Sequence, residues 1–308
     1  MAIAHKRRMK EPGSLEDFEL KTGFGREAVL EKLAIRDIKG RRPSFEPVKA
    51  VECLEKELLR GSDGSGMHFF FPLTQMEALG EFFKGVLRVV APKARVTLLV
   101  TPDRLYENRN GEENLRAHIG RAIRPNDKKF VVVDTMRHGI TYDRVKTQLL
   151  ALTNATEKDI TFLPETFFGL WYSGTGSVTR KKTESGSFAI GSGYLLNYFL
   201  RHTEVNIAAN EYTYLADHLL TRFRNNPKRF FSQEEFDMFK EKEYNEPPNS
   251  RESWIELSPL IHFVRTLPPE RQRQIINRLN REDAATARAF YYYGMAAAKD
   301  YLKKQEAK

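Results

Sequence analysis

The run Lys129-Phe130-Val131-Val132-Val133-Asp134-Thr135-Met136-Arg137-His138-Gly139-Ile140-Thr141 ends an apolar, β-branched stretch on an acid. A cation, an imidazole, a glycine and a hydroxyl follow within seven residues. Those types in that order suit a phosphate-bearing ligand. Asp134 can hold sugar hydroxyls or a divalent cation, and Gly139 lets the backbone approach a bound group closely. Thr141 adds a hydroxyl and an amide, while Arg137 and His138 can neutralise or donate to an anion. His138 also titrates where proton transfer is useful. A helix from Tyr142 to Leu152 would aim its amino-terminal dipole at the same place. An acid at a strand end is equally the mark of a helix cap or a turn, so the residues by themselves leave both readings open.

The stretch resembles the phosphoribosyltransferases. In that family an apolar strand leads to a pair of acids and a loop closing on Thr-Gly-x-Thr or Ser. The acids contact ribose hydroxyls and the loop holds the 5-phosphate. Val131-Val132-Val133-Asp134 looks like the strand and first acid, and Gly139-Ile140-Thr141 like the end of the loop. The strand and helix order extends the likeness to roughly Val96 to Leu170. The resemblance implies a transferase-type site with Asp134 in a catalytic position and Gly139 and Thr141 around the phosphate; the residues themselves add His138 as a second catalytic candidate and Thr135, Arg137 and Ile140 as phosphate contacts. The resemblance also implies a magnesium ion as cofactor. The chain departs from the pattern in three ways: Thr135 stands at the second acidic position, His138 replaces the loop's first Thr, and the loop is one residue shorter. A member with Thr135 there is expected to bind without necessarily catalysing.

Other strand ends repeat the theme. Asp103 follows the strand Arg95 to Thr101, and Glu165 follows Asp159 to Pro164. With Asp134 they would form a carboxylate row for a magnesium-bound phosphate, although helix capping explains each acid singly. The Gly/Ser/Thr segment Trp171 to Lys182 carries Arg180, Lys181 and Lys182, and such a loop can cover a phosphate or serve merely as a surface loop. No His-Glu-x-x-His or Cys-x-x-Cys spacing points to zinc, and no Gly-x-Ser-x-Gly elbow points to a serine hydrolase. Cys53, the single cysteine, has no partner for an internal disulfide and reads as a small core residue.

The net charge of +9 favours polyanions or an anionic ligand, with basic concentrations at His5 to Lys10, Lys39 to Arg42, Arg222 to Arg229 and Arg271 to Arg281. Nucleic acid is therefore an open partner, as is a second copy of the chain. No apolar run nears the ~20 residues that cross a bilayer, and the basic start Met1 to Lys10 lacks the apolar stretch of a secretory signal. A cytoplasmic protein without membrane contact is the expectation.

The elements that must position these residues alternate. A strand from Met67 to Leu73, a helix Gln75 to Val90, a strand from Arg95, a helix Glu112 to Ile123 and the strand Lys129 to Asp134 predict an α/β fold. Its sheet is expected to be mainly parallel, covered by helices and Rossmann-like, with a helical carboxy-terminal section. Three parts are expected: an amino-terminal arm and helix over 1–66, an α/β core that binds a nucleotide or ribose phosphate over 67–203, and helices over 204–308. In the first part, Met1 to Glu46 reads as an exposed arm and Gly61 to Gly66 as a flexible break. In the last, separate helices Glu270 to Leu279 and Glu282 to Lys303 are expected. The leading functional expectation is a phosphoribosyltransferase-like protein binding a phosphorylated small molecule or nucleotide. The alternative is a noncatalytic nucleic-acid- or protein-binding protein on an α/β scaffold.

Overall fold

A computed structural model describes residues 11–25, 46–72, 77–99, 109–134, 140–164, 227–245 and 253–307, together with Leu196, Leu200 and Phe223. By contact the chain divides into two compact units, Met1–Arg180 with Ala287–Lys308, and Lys181–Thr286.

The first unit is built on a four-stranded, wholly parallel sheet. Strands β1 (Met67–Pro72), β2 (Arg95–Leu99), β3 (Lys129–Asp134) and β4 (Ile160–Pro164) lie in the order β2-β1-β3-β4. The two inner strands are the most apolar, Met-His-Phe-Phe-Phe and Phe-Val-Val-Val, as strands covered on both faces require. Between the strands run α3 (Glu77–Val90), α4 (Arg109–Ala122) and α5 (Ile140–Leu152). Ahead of them lie α1 (Leu15–Thr22) and α2 (Pro47–Leu54), the latter continued by a π-turn over Glu55–Leu59.

Right-handed crossovers that leave β1 one way and β2 and β3 the other must place α3 on one face of the sheet and α4 and α5 on the opposite face. The side chains follow this rule. Phe70, Phe130, Val132 and Ile160 pack with Leu115 and Ile119 of α4 and Val145 and Leu149 of α5. On the other face Phe71 stacks on Phe83 of α3 at 6.0 Å, and a Cβ at Gly80 would press on Phe71 and Leu98.

Helix α3 meets the last helix of the chain at two glycines. A Cβ on Gly85 would lie 2.8 Å from the Tyr291 carbonyl carbon and nearer still to its oxygen, and one on Gly294 would lie 2.9 Å from the Phe82 carbonyl carbon. The two backbones therefore touch where neither helix has a side chain.

The segment expected as an exposed arm is folded over residues 11–25. Ser14 caps α1 by accepting from the Asp17 amide, and Gly23 ends it at a positive φ of 65°. Phe18 and Phe24 are buried against Tyr293 and Phe290. The Leu15 amide donates to Asp300 Oδ2 at 3.0 Å, and Lys299 Nζ donates to the Pro12 carbonyl at 2.9 Å. Two apolar rings with cover from the chain's own carboxy-terminal helix explain why this piece is ordered without a partner. The helix expected from Arg26 to Ala34 lies outside the described residues.

The glycine run expected as a flexible break is instead a packed turn. Gly64 has a φ of 78° and a Cβ there would meet the Ala94 amide at 2.8 Å. The Gly66 carbonyl accepts from both the Lys128 and Lys129 amides, at 2.8 and 3.0 Å. Here glycine supplies left-handed backbone and close approach, which its composition alone cannot distinguish from a linker.

In the second unit, α6 (Gln233–Asn245) starts at a capping box: the Glu235 amide donates to Ser232 Oγ at 3.1 Å, and the Ser232 amide donates to Glu235 Oε2 at 2.7 Å. Arg271 grips the same carboxylate with two donors at 2.7 Å each. Phe231, Phe239 and Phe263 form an aromatic core with α7 (Ser253–Thr266). Where two helices were expected, α8 runs unbroken over 38 residues, Pro269–Glu306, and ends in the first unit. Its Asn280-Arg281 junction is polar but contains no helix breaker, so the backbone continues.

Candidate functional site

Strand order fixes where a ligand can enter. The chain leaves β1 toward β2 and leaves β3 toward β4, so the carboxyl ends of β1 and β3 form a topological switch point, the usual crevice of an open parallel sheet. The ladders end unevenly there. Pairing between β1 and β3 stops at Phe70 with Val132, whereas β1 stays paired with β2 to Pro72 and β3 with β4 to Asp134. The ladder between the two central strands thus ends two residues short of the ladder each keeps with its outer neighbour.

Asp134 is the last residue of β3, opposite Pro164 of β4, beside the switch point. Helix α5 begins at Ile140, two residues earlier than the expected Tyr142, so Ile140 and Thr141 belong to its first turn. The amides of a first turn lack helical partners and face outward along the axis, where they attract an anion. In the backbone Asp134 ends β3, and Ile140 and Thr141 open the next described helix. Their side chains, and all of Thr135, Arg137, His138 and Gly139, lie outside the described residues. So do Asp103, Glu165, Arg180, Lys181 and Lys182. Among the described residues no group of three or more His, Cys, Asp or Glu side chains could hold a metal ion, and no helix is long and apolar enough to cross a membrane.

The opposite, amino end of the sheet holds a polar cluster that the sequence did not announce. His68 is fully buried in β1, stacked on Phe70 with ring centroids 4.1 Å apart. Its Nδ1 lies 2.9 Å from Asp127 Oδ2 and its Nε2 lies 2.8 Å from Thr97 Oγ1. The ionised carboxylate only accepts, so Nδ1 carries the proton and Nε2 accepts from the Thr97 hydroxyl. Asp127 Oδ2 also accepts from Arg95 Nη1 at 2.5 Å and from the Arg124 amide at 2.8 Å, while Arg95 Nη2 donates to the Ala122 carbonyl. These residues come from β1, β2, the end of α4 and the turn into β3, separated by as many as 59 positions. The one sequence signal was a histidine inside the apolar run Met67 to Phe71.

Carboxylate, imidazole and hydroxyl in line resemble a proton relay, but the electrostatics oppose that use. Burial pushes His68 down to about 4, and the Arg95 charge adds to the effect against the upward pull of Asp127. An imidazole so weakly basic is a poor general base near neutrality. Burial alone would raise Asp127, yet the Arg124 amide, His68 and Arg95 together hold it below its ordinary range. The cluster is a structural joint.

It carries a pH signature. Between the ordinary 6.5 of histidine and about 4 the unfolded chain binds a proton at this position that the folded chain refuses. Stability is therefore whole above pH 6.5 and falls as pH drops toward 4, by about 3 kcal/mol. The depressed Asp127 acts in the same direction, its contribution disappearing only below the ordinary carboxylate value. Urea midpoints measured at pH 7, 5.5 and 4.5 should decline in that order, and the decline should flatten in His68→Gln.

Comparison with protein-family models, with curated proteins and with solved structures finds no match.

Proposed function

We propose that this chain binds a ribose phosphate or nucleotide at the carboxyl ends of β1 and β3, in the manner of a phosphoribosyltransferase on a Rossmann-like scaffold. The observation that carries the reading is the topological switch point between β1 and β3, with Asp134 at the tip of β3 and α5 starting at Ile140. Asp134 engages the ribose hydroxyls, directly or through magnesium. The first-turn amides of α5 and the Thr141 hydroxyl take the 5-phosphate, and Arg137 with His138 offsets the charge of a leaving diphosphate. Thr135 in place of a second acid removes one contact to the sugar, so binding outlasts transfer.

Isothermal titration with phosphoribosyl diphosphate and magnesium tests this reading. Saturable heat is expected from the native chain, weakened at least about tenfold by Asp134→Asn and by Thr141→Val, a loss of one charge-assisted contact each. Heats that both substitutions leave unchanged would reject the site and favour an interaction protein whose sheet is scaffold alone.

A further inference from the structure

Among the described residues the two outer strands of the sheet are held differently. β4 is tied to β3 by its ladder, and the nearest acid at its start, Asp159, is spent on capping the Thr156 turn. β2 is tied to β1 by its ladder and, in addition, by the buried cluster: Thr97 through His68 and Arg95 through Asp127. Arg95 further links β2 to the last carbonyl of α4.

We propose that this cluster is an acid-released clasp: protonation of His68 frees edge strand β2 and the last turn of α4 while the rest of the sheet stays paired. The groups facing His68 decide the outcome. Among the described residues Asp127 is its single anion; Arg95 from β2 and Arg124 from the turn after α4 are cations; Thr97 from β2, Phe70 from its own strand and Phe130 from β3 are neutral. A charged imidazole would leave two buried or half-buried cations, His68 and Arg95, to share one carboxylate. The Thr97 hydroxyl could turn to accept from Nε2, so the hydrogen bond survives but the excess charge does not find a partner. Arg95 is the member with access to water, its side chain being 25% exposed, and it belongs to a strand that among the described residues pairs with β1 alone. Its departure loosens Asp127, the Ala122 carbonyl and the β2 edge together.

Amide hydrogen exchange on the full chain, corrected for the intrinsic pH dependence of exchange, tests the clasp. Between pH 6.5 and 4.5 protection over Arg95–Leu99 should fall by about tenfold or more while Ile160–Pro164 keeps its protection. With the series carried down to about pH 3.5, the ring resonances of His68 should titrate together with the loss of β2 protection. His118 on α4, which burial also depresses, is separated by His68→Gln, in which β2 protection should become independent of pH over this range. Equal loss at β2 and β4, no loss at β2 by pH 4.5, or a β2 midpoint unchanged in His68→Gln would each overturn the proposal. Should that variant not fold, a mismatch between the His68 titration and β2 release in the native chain would do the same.

Discussion

Replacing Gly85 by alanine is expected to destabilise the first unit by more than about 3 kcal/mol, at the upper end of what overpacking costs. Helix propensity argues the other way, since alanine in mid-helix is favoured over glycine by about 1 kcal/mol. The contact decides the sign. The new methyl group would meet the Tyr291 carbonyl and, at 3.0 Å, the Met295 amide, and both are backbone of α8. No flexible side chain can yield, so the helices must separate and loosen the packing of Phe82 on Tyr293. Gly294→Ala strikes the same crossing from the other helix, at the Phe82 carbonyl. Because both substitutions force one separation, the double variant should cost clearly less than the sum of the two. Urea unfolding of the three variants measures this. A stabilised Gly85→Ala would mean that the helices do not cross here.

Asp127→Ala should cost about 4 kcal/mol, the loss expected when one member of a buried charge cluster is removed. The carboxylate is 3% exposed, and one of its oxygens takes donors from His68, Arg95 and the Arg124 amide. Alanine leaves all three unanswered. Arg95 can swing toward water, which keeps the cost from going higher. Asp127→Asn retains an acceptor without the charge and should lose about half as much. Chemical denaturation at pH 7 checks both, and a cost below about 1 kcal/mol for the alanine variant would show that the cluster anchors nothing.

What the sequence disclosed was whatever local period and local caps determine. β3 could be bounded to the residue because Phe-Val-Val-Val between Lys129 and Asp134 is apolar on both faces, and the capping box at Ser232 is spelled in adjacent letters. The parallel order followed from the strand and helix alternation. What escaped was whatever depends on contact between distant segments. Gly61 to Gly66 has the composition of a linker, yet Gly64 is required by Ala94 some thirty positions on. Phe18 and Phe24 had no visible partner until α8 supplied Phe290 and Tyr293. The His68 cluster joins four stretches through single polar residues, none of them conspicuous alone. At the carboxyl end, Asp134 was placed at a strand tip by its neighbours, but the switch point beside it is a property of the strand order.

The two ends of the sheet give the most direct discrimination, since one is read as a binding crevice and the other as a joint. Backbone amide shifts should be recorded while phosphoribosyl diphosphate and magnesium are added to the full chain. The ribose-phosphate reading predicts displacements at Val133, Asp134, Ile140 and Thr141, with Gly66, Arg95 and Lys128 at the far end unmoved. Silence at the β3 tip, or displacements confined to the Gly66 to Lys128 edge, would contradict it.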